Sequence, residues 1–342
     1  EHEVIMSPTS NCYLDYGLSS IDLQKIYAFE PIPKALKPDF HQYIIGAECN
    51  MWTEHVPDKK TLDERVFPRM IGFAEVLWTN DPQRDFDAFY ERLQTHYPIL
   101  TAWNIQYGME TIGAIIDLDF SHEAILIKLK AQLKDLTIKY NWNADKEWTE
   151  YQNPIELVNS GLLFVQAYKD GVEYGPVITQ SFASHEGLNA AVTYATDYNE
   201  GYAGSKTKNL VDGKLGSLDF RDGNWQGFWG NDLSVVVELE KSIDVSNVRM
   251  NFYQYANSWI FVPRSVKLSI GRDGETWDAE LSQNFDVDLS NKKSIQRVSF
   301  DGVNVDNAKY IKIEAMNIGK VPNGHEAAGS DAWIFIDEII IE

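Results

Sequence analysis

The chain has 342 residues, enough for two or three domains of about 100–200 residues each. Its net charge of −21 argues against nucleic acid, whose phosphates would repel it, and no basic run points to an anionic membrane surface. No stretch approaches the about 20 apolar residues of a membrane span.

Val4-Ile-Met-Ser-Pro8 reads as a buried strand that breaks into Asn11-Cys-Tyr13-Leu-Asp15. Asp22 to Phe29 has a helical pattern, ended by Glu30-Pro-Ile-Pro33. Tyr43-Ile-Ile45 reads as a second buried strand and runs into Gly46-Ala-Glu-Cys-Asn-Met-Trp-Thr-Glu54. A short buried strand that opens into polar and aromatic residues is how a β/α barrel builds its active face. Tyr13 and Asp15 are two apart, as are Trp52 and Glu54, so an extended backbone would point each pair one way. An indole beside a carboxylate suits a sugar ring, which offers an apolar face and a rim of hydroxyls.

A helix is expected from Thr61, with Pro68 tolerated only near a helix start or at a kink. Asp85 to Tyr97 is amphipathic, with Phe86, Phe89, Tyr90 and Leu93 on one face. Residues 1–105 are thus barrel-like, whereas a complete (β/α)8 barrel needs about 250 residues. A quarter-barrel leaves strand edges and apolar faces open, so 1–105 is expected to pack on the next domain, self-associate or be partly disordered. Cys12 and Cys49, the only cysteines, fall at the ends of neighbouring strands. A disulfide between them is geometrically conceivable, and buried free thiols are the expected state.

From about Gly113 the pattern changes to period two. Ile125–Lys130, Leu136–Trp142, Leu162–Tyr168 and Pro176–Phe182 alternate, with Lys169-Asp-Gly171 as a turn. Short strands at this spacing give a small β-sandwich over 106–186. Residues 187–342 form a third block with Asn209-Leu-Val-Asp-Gly213, Asn224-Trp-Gln-Gly-Phe-Trp-Gly230, Asn257-Ser-Trp-Ile-Phe-Val-Pro263 and the closing Ala332-Trp-Ile-Phe-Ile-Asp-Glu338. The chain's ten tryptophans fit a sugar-handling protein, which uses aromatic faces for stacking.

The Tyr13-x-Asp15 and Gly46-x-Glu-x-x-x-Trp52-x-Glu54 motifs, with the helix Phe67-Pro-Arg69-Met-Ile-Gly-Phe-Ala-Glu75-Val-Leu-Trp78, resemble the end of a glycoside hydrolase family 20 catalytic domain, that of the β-N-acetylhexosaminidases. The family's His-x-Gly-Gly-Asp-Glu signature does not occur in this sequence. The resemblance therefore implies the last two β/α units of a longer enzyme whose catalytic Asp-Glu pair lies elsewhere, with this chain alone inactive. It implies substrate-assisted retaining catalysis, in which the 2-acetamido oxygen of the sugar attacks its own anomeric carbon. Tyr13 would orient that acetamide, Trp52 would wall the pocket, and Asp15 and Glu54 would accept bonds from sugar hydroxyls. Arg69 and Glu75 would anchor the helix.

The middle block resembles the immunoglobulin-like C-terminal domain of chitobiases, and the last block resembles discoidin-type jelly rolls, which include family 32 carbohydrate-binding modules. The overall expectation is a partial barrel followed by two all-β domains, with no catalytic cofactor. The jelly-roll resemblance implies a structural Ca2+ held in part by Asp212 and Glu338; an Asp-Gly turn and a surface acid are the plainer reading. Trp225 and Trp259 are the expected exposed sugar-stacking pair, the remaining aromatics being core. The partner implied is a glycan or chitooligosaccharide with terminal N-acetylhexosamine, and the location implied is extracytoplasmic. The rival reading is a non-catalytic carbohydrate-binding or adhesion protein that uses the jelly roll.

Overall fold

The computed structural model describes residues 2–79, 81–144 and 147–342. Two short parallel strands, β1 (Val4–Met6) and β2 (Ile44–Ala47), begin the N-terminal part. Among the described residues six α-helices accompany them: α1 (Thr9–Cys12), α2 (Leu23–Tyr27), α3 (Lys59–Val66), α4 (Arg69–Trp78), α5 (Phe86–Leu93) and α6 (Tyr97–Ala102). Aspartates start three of these: the side chains of Asp22, Asp58 and Asp85 accept from the N–H of Lys25, Thr61 and Ala88. Pro68 precedes α4, where its missing N–H costs nothing. Helix α5 buries Phe89, Tyr90 and Leu93 as its periodicity demands, with Phe86 packed beside them.

The two strands depart from the expected burial. Val4, Ile5 and Ile45 are 42%, 53% and 55% exposed. Val4 and Ile5 are consecutive on one strand and point to opposite faces, so both faces of this two-stranded sheet meet solvent in part. Residues 1–105 gain cover from the middle domain instead. Leu133, Leu136 and Ala167 enter the same apolar cluster as Leu14, Ile26, Phe73 and Phe89. Polar contacts pin this junction. Gln132 Nε2 donates to Asp22 Oδ2 at 2.8 Å, and the phenols of Tyr97 and Tyr174 donate to the two oxygens of buried Glu110 at 2.5 and 2.7 Å.

The middle domain is a sandwich of antiparallel strands. Strands β3 (Ala114–Asp119), β4 (Leu126–Ala131), β5 (Leu136–Trp142), β6 (Thr149–Glu150), β7 (Ile155–Glu156), β8 (Gly161–Lys169) and β9 (Val172–Phe182) divide between two sheets. Their inward residues, among them Ile127, Leu129, Ile138, Leu163 and Val165, form one core. The Lys169–Val172 hairpin turns on Asp170 and Gly171, both at positive φ, as a two-residue loop between twisted strands requires.

The C-terminal domain adds β10 (Ala191–Tyr194), β11 (Lys214–Leu215), β12 (Gln226–Trp229), β13 (Leu233–Gln254), β14 (Ser265–Gly271), β15 (Ala279–Asn284), β16 (Ser294–Met316) and β17 (Trp333–Ile341). Long strands β13 and β16 pair antiparallel, with register shifts between Glu238 and Asn247. One edge of β13 meets β10 at 235–238 and β17 at 248–252, so the bend at those bulges gives two facing sheets, a jelly roll. Val235, Val237, Leu268 and Ile313 from one half pack against Met250, Phe252, Val298 and Ile339 from the other. Strand β11 lies outside this arrangement and pairs with β9 of the middle sandwich.

Glu110 ties the barrel-like part to the middle domain through two phenols, one from each side. Tyr174→Phe would leave one buried carboxylate oxygen without that donor, and also the Glu110 N–H that bonds the phenol oxygen at 3.2 Å. A loss of about 1–3 kcal/mol in denaturant unfolding is expected; an unchanged midpoint would contradict the role.

Candidate functional sites

The pairing of β1 with β2 resumes past α1 as a parallel bridge between Tyr13 and Asn50. Leu14 N–H donates to Asn50 O at 2.8 Å, and Asn50 N–H donates to Cys12 O at 2.7 Å. The Tyr13–Asp15 and Trp52–Glu54 segments therefore leave adjacent strand ends on the same side of the sheet. Neither segment stays extended, which corrects the expectation that each pair shares a face. Tyr16 N–H turns back to Tyr13 O at 3.3 Å, and Thr53–His55 is a 3-10 turn closed by Val56 N–H on Thr53 O.

The four side chains consequently differ in environment. Trp52 is 56% exposed and Glu54 is exposed, Tyr13 is half-buried, and Asp15 is 7% exposed. The Tyr13 hydroxyl makes no hydrogen bond among the described residues, and Asp15 Oδ1 is buried without a partner. Arg69, 1% exposed, fixes this loop from below. Its guanidinium donates to the carbonyls of Leu14, Tyr16, Ile21 and Arg65. Glu75 accepts from the Tyr27 phenol at 2.9 Å and from Arg92 at 2.5 Å. Both residues of the helix motif are anchors. Cys12 and Cys49 are free thiols, and burial pushes them up to about 11 and about 12.

In the jelly roll Trp225 is 1% exposed, which overturns its place in a sugar-stacking pair. It packs edge-on against Tyr253, and its indole N–H donates to Ser217 O at 3.0 Å. Trp259 is half-buried at φ +61, a left-handed backbone that a bulky residue adopts only under constraint. Backbone bonds to Trp333 and Phe261 supply it: Trp333 N–H donates to Trp259 O at 2.8 Å, and Phe261 N–H to Trp333 O at 3.0 Å. A cleft of about 330 Å3 lies beside them, lined by Tyr202, Arg221, Asn257, Trp259, Glu326 and Trp333.

Asp212 and Glu338 are neither surface groups nor an ordinary turn. They are 1% and 0% exposed, as buried as Asp337 beside them. Glu338 Oε1 accepts from Gly213 N–H at 2.9 Å and faces His185 Nε2 at 2.8 Å. His185 Nδ1 accepts from the N–H of Gly187 at 3.1 Å and of Ile341 at 3.3 Å, so the imidazole proton sits on Nε2 and is given to Glu338. Asp337 Oδ2 accepts from Gly216 N–H and Asn251 Nδ2, both at 3.0 Å. Asp212 Oδ2 and Glu338 Oε2 are buried with no hydrogen-bond partner, and Lys214 Nζ stands 3.7 Å from the former. Sequence reasoning missed His185 and Asp337. Two consecutive acids inside the apolar Trp333–Ile341 run were a usable signal, because one of them had to face the core.

Burial raises Asp212 to about 6 and Asp337 to about 7 and lifts Glu338 well above its ordinary value, where Asp212 adds like charge. Burial also lowers His185 to about 3. An acid with a raised folded value keeps a proton that the unfolded chain has released, so its contribution falls as pH climbs from about 4 through that value. Glu338→Gln keeps the acceptor for Gly213 and His185 and removes the ionisation. In chelator the variant should melt above the parent at pH 8, and the gap should narrow as pH falls in a thermal scan. A parent that melts higher at pH 8 would contradict the assignment.

Among the described residues no three His, Cys, Asp or Glu side chains form a metal-ligand set. Glu338 Oε2, without a partner, and Asp212 Oδ2, with only the Lys214 ammonium at 3.7 Å, are the oxygens available to a hard cation whose remaining ligands would be carbonyls or water.

Comparison with known proteins bears on the N-terminal part. A model of the glycosyl hydrolase family 20 catalytic domain matches residues 1–81. A β-hexosaminidase of Porphyromonas gingivalis is 30% identical over 199 residues, 52% of this chain and 25% of that protein. A β-N-acetylhexosaminidase of Cellulomonas fimi is 35% identical over 107 residues, 28% of this chain and 21% of that protein. The matches span a quarter or less of these relatives' length. A fucose-binding module of Streptococcus pneumoniae aligns with 47% of this chain and 98% of its own at 14% identity and TM-score 0.29. Residues 1–81 are thus similar in sequence to part of the catalytic domain of glycosyl hydrolase family 20.

Proposed function

We propose that this chain is the C-terminal part of a β-N-acetylhexosaminidase that removes terminal non-reducing N-acetylhexosamine from glycans outside the cytoplasm. The observation that carries this reading is the Tyr13–Asn50 bridge, which brings both family 20 motifs to neighbouring strand ends. In this reading the unbonded Tyr13 hydroxyl donates to the acetamide oxygen of the substrate and holds it in line with the anomeric carbon. Preorganised donors of this kind act on the transition state more than on the bound sugar. Asp15 Oδ1, desolvated and unpaired, accepts from a sugar hydroxyl, a charge-assisted bond. Exposed Trp52 covers the apolar ring face, and Glu54 stands at the outer rim. The general acid and the acetamide-orienting aspartate lie on other parts of the enzyme. The open faces of Val4, Ile5 and Ile45 are where those parts would pack.

In the full-length protein, Tyr13→Phe should lower kcat on a chromogenic N-acetylglucosaminide by about 100-fold with little change in KM. An unaltered kcat would contradict the role of Tyr13. Turnover by the 342-residue chain alone would contradict the placement of the catalytic acid elsewhere.

The jelly roll, in the same proposal, holds a neutral monosaccharide in the cleft beside Trp259. Indole rings of Trp259 and Trp333 stack on the sugar face while Arg221, Asn257 and Glu326 offer donors and an acceptor to its hydroxyls. Calorimetry with galactose, N-acetylglucosamine and N-acetylgalactosamine tests it. One sugar should bind, and Trp259→Ala should weaken it at least about tenfold, on the scale of a lost stacking contact. Absence of heat with all three would remove the jelly roll from sugar recognition. The proposal also places a structural calcium ion at Asp212 and Glu338, where it would neutralise the two buried carboxylates.

A further inference from the structure

Asp212 and Glu338 sit where two domains meet. Asp212 and Gly213 lead directly into β11, the strand that leaves the jelly roll to pair with β9 of the middle sandwich. Consecutive acids of β17 grip both ends of that strand: Glu338 holds the N–H of Gly213, and Asp337 holds the N–H of Gly216. Neither glycine can carry a side chain. A Cβ on Gly213, itself at φ +79, would lie 2.6 Å from Leu157 of the middle domain, and one on Gly216 would lie 2.1 Å from Trp225. The linker is held by the same carboxylate. His185, three residues past the end of β9, donates to Glu338 Oε1, and Gly213 O accepts the N–H of Ala183 at 2.8 Å.

The β11 pairing, the Ala183–Gly213 bond and the His185–Glu338 bond therefore all gather at Asp212 and Glu338. Two buried carboxyl groups sit at that crossing: Glu338 Oε2 has no partner, and Asp212 Oδ2 has only the Lys214 ammonium, 3.7 Å away. We infer that a divalent cation bound between Asp212 and Glu338 locks the joint between the two domains, so that its binding fixes β11 on the middle sheet. This rests on the calcium reading above and extends it from the stability of one domain to the geometry between two. The lock needs no change in either core: it acts on one exchanged strand and one linker histidine.

The full chain, stripped of metal with chelator and then supplied with calcium, is the test. Calorimetry reads cation binding, and chymotrypsin cleavage after Phe182 and Leu188 reads opening of the joint. With calcium at 100 times its Kd, cleavage there should slow by about 100-fold, because only the closed joint holds the ion. Glu338→Gln should lose both calcium binding and the calcium effect on cleavage. His185→Gln, which touches the linker and leaves both acids in place, should still bind calcium while cleavage after Phe182 speeds up. Calcium binding without any change in cleavage would overturn the lock and leave the calcium site standing. No binding of calcium, magnesium or manganese would overturn both.

Discussion

The buried guanidinium of Arg69 is the constraint on which the N-terminal part depends. Burial lowers it to about 10, yet it remains a cation at neutral pH because four carbonyls face it. Three of those carbonyls belong to residues 14–21, the loop that follows Tyr13. A loop with so little secondary structure of its own would otherwise leave several polar backbone groups buried and unpaired, at a cost of about 1–3 kcal/mol each. Arginine suits this position because its planar donors reach several acceptors at once, whereas lysine offers a single point charge. The orientation of the candidate pocket is thus set from helix α4, through the carbonyls of Leu14 and Tyr16 that flank Asp15.

The same economy recurs at the other end of the chain. A few buried charged or polar groups position backbone that regular structure does not. Glu110 joins the barrel-like part to the sandwich through Tyr97 and Tyr174, and the acids of β17 join the sandwich to the jelly roll through Gly213 and Gly216. Consecutive domains are thereby connected by hydrogen-bonded carboxylates as well as by apolar contact. Buried charges of this kind are costly without partners, and at this junction Glu338 Oε2 still lacks one while Asp212 Oδ2 has only Lys214 Nζ at 3.7 Å. That deficit separates the last junction from the first and makes it the responsive one.

Much of this was legible in the sequence where a local rule decides the outcome. The helices near Asp22 and Asp85, the Asp170-Gly171 turn and the period-two strands each follow from short-range chemistry. The two motifs were legible as motifs, and the bridge at Tyr13 and Asn50 brings them together. What failed depends on long-range packing. Trp225, set among polar and glycine neighbours, looked like a loop aromatic, but Gly216 and Tyr253, distant in sequence, enclose it. The two-residue spacing of Trp52 and Glu54 promised a shared face, and a single 3-10 turn removed it. His185 gave no signal at all, because its partner Glu338 lies 153 residues away.

If the loops after β1 and β2 form one wall of an N-acetylhexosamine pocket, sugar binding must quieten both of them together. Hydrogen exchange on the full-length protein, with and without saturating N-acetylglucosamine, reads this directly. Slowed exchange is expected at amides of 13–16 and 51–55, with the outer face of helix α5 unchanged. Exchange in both loops that does not respond to the sugar, while protection appears elsewhere in the enzyme, would contradict it.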